Sequence, residues 1–132
     1  MKKPEIILRV PGQEAYGLVL RTALGGVAIL KDLDAGTLDD LRNASDEACD
    51  CLLHQGCRAE WLELAVLDGG TSLDIRLSAN FAESCDAPNE DDHDVSRAVL
   101  ETLVSRVEME HTACGCVSAI TLTLTKAVAM GA

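Results

Sequence analysis

The segment Asp39-Asp40-Leu41-Arg42-Asn43-Ala44-Ser45-Asp46-Glu47-Ala48-Cys49-Asp50-Cys51-Leu52-Leu53-His54 decides how this chain is read. Leu38, Leu41, Ala44, Ala48 and Leu52 recur at spacings of three and four, the signature of a helix with one buried stripe. The expected span is residues 37–55, with Thr37 as N-cap and Asp40 three residues on as a variant of the capping box. The helix should end near Gly56. A single glutamate, Glu47, stands in its alanine- and cysteine-rich centre.

Working back toward the N-terminus, residues 5–10 read as a short strand that ends at Pro11-Gly12. From 13 to 31, Tyr16, Val19, Leu20, Ala23, Leu24, Val27 and Leu30 predict another helix with one buried stripe. The Gly25-Gly26 pair in its middle invites close packing against a neighbour. Working forward, the period changes from helical to alternating. Leu62, Leu64 and Val66 share one face of a strand over 61–67, and Asp68-Gly69-Gly70 supplies a turn. Leu73, Ile75 and Leu77 then alternate with polar residues in a strand over 72–78. Residues 82–94 are acidic and aperiodic, which reads as a solvated loop. A third helix is expected over 95–106, and strands over 107–111 and 117–126 flank a turn at Thr112–Gly115. The order predicts a single-domain α+β two-layer sandwich over 1–132: a mixed, mostly antiparallel sheet covered on one face by three helices.

Composition narrows the function. The chain of 132 residues is 48% hydrophobic but only 2% aromatic, so its core must be aliphatic. Its formal charge is −11. Nucleic acids and anionic membranes attract basic surfaces, so neither is an expected partner, whereas a protein is. The apolar run after Met1 is broken by Glu5 and Arg9, too early for a signal peptide. No apolar stretch approaches the ~20 residues that span a bilayer. A cytoplasmic location is expected. The six cysteines then read as reduced thiols that behave as small hydrophobes. Cys49 and Cys51 point about 200° apart on a helix and cannot share one metal ion. Cys114-Gly115-Cys116 lies at the expected turn and could hold a metal or close a strained bridge. No residue is assigned as a metal ligand.

With these elements in this order, the chain resembles the anti-sigma factor serine kinases of bacterial partner switching, built on the histidine kinase-like (GHKL) ATPase fold. The resemblance is carried by Pro11, Leu20-Arg21-Thr22-Ala23, Asp39-Asp40-Leu41, Ser45-Asp46-Glu47-Ala48, His54 and the strand from Ile120 to Lys126. It implies that Glu47 is the general base toward a serine hydroxyl. In the family an asparagine four residues on, on the same helix face, ligates Mg²⁺. Here that position is Cys51, a soft donor ill suited to magnesium. The family's adenine-binding aspartate and its glycines follow the strand at 72–78. This chain has Leu77-Ser78-Ala79-Asn80-Phe81-Ala82 there, with Asn80 as the residual adenine contact. The glycine-rich phosphate turn before the third helix is replaced by Asp91-Asp92-His93-Asp94-Val95-Ser96-Arg97. Its aspartates suit the helix dipole but repel a triphosphate.

The resemblance therefore implies a regulatory module that has lost its ATP site, needs no cofactor, and binds a sigma factor or an anti-anti-sigma factor. Arg21, by the same resemblance, grips the protein partner, and His54 caps its helix. A homodimer is expected. The alternative is an active ATP-dependent serine kinase using ATP and Mg²⁺, and a third class is a thiol or metal protein built on the cysteines.

Overall fold

The computed structural model describes residues 3–82 and 93–126. Most of the acidic segment expected at 82–94, with Cys85, lies outside the described residues. The elements are β1 (Ile6–Pro11), a 3₁₀ turn (Glu14–Tyr16), α1 (Gly17–Leu30), α2 (Ala35–Leu53), β2 (Ala59–Asp68), β3 (Ser72–Phe81), α3 (Asp94–Leu103), β4 (Arg106–His111) and β5 (Val117–Thr125). The strands form one sheet in the order β1-β2-β3-β5-β4, and each of its pairings is antiparallel. The α+β sandwich is thus present.

Register explains why aliphatic residues suffice for the core. Ile6, Val66, Ile75, Leu122 and Val107 stand opposite one another across all five strands. Leu8, Leu64, Leu77, Ile120 and Met109 form the next rung. These rungs sit on the covered face, where Leu64, Ile75, Ile120 and Leu122 are fully buried. Leu20 and Leu24 of α1, Leu41 and Leu52 of α2 and Leu100 of α3 join the same cluster. The other face is polar, with Arg9 paired to Glu63 at 3.4 Å and Arg76 to Glu110 at 3.1 Å. Trp61 sits part-exposed at the start of β2, opposite Pro11 and Asn80.

Three expectations need correction besides the helix expected over 95–106, which ends at Leu103 because Val104 is extended and Arg106 opens β4. The N-cap of α2 is Asp34, not Thr37: the Asp34 carboxylate accepts the Thr37 N–H at 2.7 Å, and the helix starts at Ala35. Ala35-Gly36 do not break the helix, because first-turn N–H groups lack helical partners in any case and one aspartate caps them. That N–H contact holds the Asp34 carboxyl below its ordinary value. Second, β3 does not stop at Ser78 but runs through Phe81, still paired with β2. Third, the buried line of α1 is Leu20, Leu24, Gly25, Val27 and Ala28. Tyr16, Val19 and Leu30, expected in that stripe, are exposed. The helix packs mainly on α2, so only a narrow arc of it is covered. Gly25 accounts for the close approach: a Cβ there would lie 3.0 Å from Arg42 Nη2, whereas Gly26 faces open space.

The turn between β2 and β3 closes as its glycines predict. Gly70 takes a left-handed φ of 89°, and its N–H donates to Asp68 Oδ1 at 2.8 Å. Asp68 also accepts from Lys126 Nζ at 2.5 Å and from Lys31 Nζ at 2.9 Å, and Lys31 reaches Glu5 at 2.6 Å. Through Asp68, this network ties the residue after α1 and the residue after β5 to the turn, and Lys31 extends it to Glu5 just before β1. The Lys126 hydrogen bond, then that of Lys31, holds the Asp68 carboxyl far below its ordinary value of 3.8. A depressed carboxylate stabilises the fold fully above its unfolded value, and that contribution is lost as pH falls toward the folded value. Urea midpoints of the native chain should therefore fall more steeply than those of Asp68→Asn between about pH 5 and about pH 2. Parallel acid limbs would show that the network contributes nothing.

Candidate functional site

The site is built outward from α2. Its inner side buries Leu41, Ala44, Ser45, Ala48, Cys49, Cys51 and Leu52. Its outer side turns Asn43, Asp46, Glu47, Asp50, Leu53 and His54 into a cavity of about 640 Å³. Glu14, Gly17, Leu18 and Arg21 form the wall before and along α1, and Val99 and Leu103 of α3 close the other side. The cleft is thus a valley between three helices with an acidic floor and apolar shoulders.

Three of the residues singled out from the sequence meet here, Glu47, Arg21 and His54. Glu47 is half-buried on the floor, and Arg21 faces it from α1. Arg21 is ion-paired with Asp46, joining the two helices across the valley. Both partners are substantially exposed, so the pair contributes little to stability and is open to exchange for another partner. His54 ends α2: its N–H donates to the Asp50 carbonyl at 3.0 Å, and its Nδ1 lies 2.7 Å from Asp50 Oδ1.

Cys51 and Asn80 are elsewhere. Cys51 does not line the cleft; it is buried, with Sγ 3.4 Å from His93 Nδ1. Asn80 is exposed near the end of β3, opposite Trp61, and is also absent from the cleft wall. His93 is the residue that sequence reasoning missed. It falls in the stretch that reads as an acidic loop, yet it precedes α3 at a left-handed φ of 61° and is buried. A lone histidine among aspartates carries no periodic signal, so only the tertiary contact with Cys51 reveals it. Cys49 is buried beside the floor, and burial pushes its thiol up to about 11. It is a protonated hydrophobe at neutral pH.

Comparison with known proteins bears on the fold. No protein-family model matches the chain, and no curated protein does. A solved structure does: the RsbU and RsbW domains of Rv1364c from Mycobacterium tuberculosis. It aligns with 92% of this chain at 18% sequence identity and a TM-score of 0.66. The present chain spans 33% of the length of that structure. This chain has the RsbW-like fold. At this identity the likeness is one of architecture: five antiparallel strands with three helices on one face. Among the described residues, no helix is long and apolar enough to cross a membrane.

Proposed function

We propose that this chain is a partner-switching regulator of the anti-sigma factor kind, kept as a protein-binding module without a working ATP site. The observation that carries the reading is the position of Cys51. The resemblance assigns it the magnesium ligand, yet it is a soft thiol, buried with its Sγ 3.4 Å from His93 Nδ1. Magnesium demands oxygen donors in octahedral geometry, which a buried thiol does not provide. Asn80, the residual adenine contact, does not line that cleft either. Among the described residues, neither Cys51 nor Asn80 supplies Glu47 with the magnesium and adenine contacts that phosphoryl transfer uses. The RsbW-like fold supports the same class of regulator.

The partner-binding surface in this reading is the outer side of α1 with the adjoining cleft. Leu18, Ile29 and Leu30 are 68%, 77% and 72% exposed. Large apolar side chains grouped on one helix mark an interaction surface. A sigma factor or anti-anti-sigma factor with a complementary basic rim would meet Asp46, Glu47 and Asp50, and Arg21 would exchange Asp46 for a partner carboxylate. The same face serves a homodimer.

The test is complex formation with sigma factors and anti-anti-sigma factors of the source organism, measured by calorimetry with and without Mg-ATP. The expected result is binding that is indifferent to nucleotide and weakened at least about tenfold by Leu18→Glu, a loss of ~1.4 kcal/mol. Binding only in the presence of Mg-ATP would refute the reading and restore the kinase alternative.

A further inference from the structure

The sequence isolates Cys114-Gly115-Cys116 as a pair; the fold adds a third thiol to it. Cys57, in the segment between α2 and β2, is brought against the turn between β4 and β5. The Cys57 and Cys114 sulfurs are 3.2 Å apart, and the sulfurs of Cys57, Cys114 and Cys116 all lie within 4.8 Å of one another. We propose that these three cysteines form a thiolate site for a soft d¹⁰ metal ion, Zn²⁺ or Cu⁺.

The spacing suits a metal. Zn–S bonds of ~2.3 Å in a tetrahedron place sulfurs about 3.8 Å apart, between the 3.2 Å that separates Cys57 from Cys114 and the 4.8 Å that bounds the trio. Three sulfur donors select soft ions over magnesium or calcium.

The surroundings hold the sulfurs in place. The Gln55 side-chain amide clamps Val117 from both sides, donating to its carbonyl at 2.7 Å and accepting its N–H at 2.8 Å. This fixes the Cys57 segment against the start of β5. The Cys114 turn is closed by Thr112 N–H to the Cys116 carbonyl at 2.8 Å and by Gly115 N–H to the Thr112 carbonyl at 3.0 Å. Gly115 takes a left-handed φ of 88°, which a side chain would oppose. The Cys57 N–H donates to Cys116 Sγ at 3.3 Å. Such a contact favours the charged sulfur that a metal requires. The Thr112 hydroxyl lies 3.0 Å from Cys114 Sγ. These contacts orient the sulfurs as outer partners orient metal ligands generally.

Cys116 and Cys57 are 0% and 3% exposed, while Cys114 is half-buried. The site is thus shielded on two sides and open on one, where an ion enters and a further ligand completes the shell. Each thiol that binds replaces an S–H bond with an S–metal bond, and its proton passes to the buffer.

The test uses the full chain, reduced, stripped of metal with a chelator and kept anaerobic. Zn²⁺ is titrated against a chromophoric competitor, and Cu⁺ is titrated in a second arm. Co²⁺ serves as a spectroscopic probe. The expected result is one equivalent of Zn²⁺ or Cu⁺ with proton release, and a sulfur-to-cobalt charge-transfer band. Cys114→Ser, the least buried of the three, should weaken binding by about 100-fold or more with an unchanged circular dichroism spectrum. Cys49→Ala should retain the full stoichiometry. The preferred ion is the one whose affinity survives competition and falls in Cys114→Ser. Absence of stoichiometric binding, or full affinity in Cys114→Ser, overturns the proposal. A Cys57–Cys114 disulfide in place of metal, in protein isolated under reducing conditions, does the same.

Discussion

Gly12→Ala is expected to destabilise this fold by about 3 kcal/mol, near the upper end of what forced overpacking costs. Gly12 follows β1 and donates its N–H to the Glu60 carbonyl at 2.9 Å. A Cβ at this position would lie 2.3 Å from the Ala59 carbonyl oxygen and 2.8 Å from its carbon. Both are backbone atoms at the start of β2, beside the irregular register between Ala59 and Trp61. No rotamer change relieves the clash. The edge strand must lift or the β2 backbone must move, and either loosens the rung that buries Val10 and Leu62. Gly26→Ala provides the contrast within the same measurement. It is mid-helix with nothing within 4 Å of the added methyl, so it should stabilise by about 0.5–1 kcal/mol. Urea unfolding of both variants checks the pair. Equal effects would mean that the close approach at Gly12 is absent.

Leu64→Ala should cost about 3–4 kcal/mol, within the range for large-to-small changes at fully buried sites. Leu64 lies mid-strand in β2, between Leu8 and Leu77 on its two neighbours. It is fully buried. With almost no aromatic side chains to adjust, the neighbouring aliphatic groups fill the void poorly, so the cavity term stays large. Leu18→Ala, at an exposed site, should leave the isolated chain within about 0.5 kcal/mol of the native value. A small loss at Leu64 would argue against this register.

Periodicity made the two layers legible. Alternation in β2, β3 and β5 placed Leu64, Ile75, Leu77, Ile120 and Leu122 on the covered face, and the Asp68-Gly69-Gly70 turn joined the first two strands correctly. Helical spacing found Leu20, Leu24, Leu41 and Ala48. It failed where an element is covered over less of its surface than its apolar residues span: α1 carries enough leucine and valine for a broad stripe, but α2 reaches only part of it. Asp34 is separated from the apolar spacing of α2 by Ala35 and Gly36, so no local pattern sets it above Thr37 as the cap. β3 extends past Ser78 because its ladder with β2 continues, and no local residue announces that.

The site was legible in part. Glu47 and Arg21 were read from one helix each, and the fold places them across a single cleft. The burial of Cys51 against His93 joins residues 42 positions apart, beyond the reach of any local pattern. The same holds for Cys57, which meets Cys114 across 57 positions. Motif spacing sees neighbours on one element; contacts between loops follow from the topology of the sheet.

The proposal that this scaffold binds proteins and lacks a working nucleotide site is tested by calorimetric titration of the intact, reduced chain with ATP in excess Mg²⁺. No saturable heat is expected up to millimolar ATP. Saturable binding at micromolar concentration, lost in Glu47→Ala or strengthened in Cys51→Asn, would contradict it and reopen the kinase alternative.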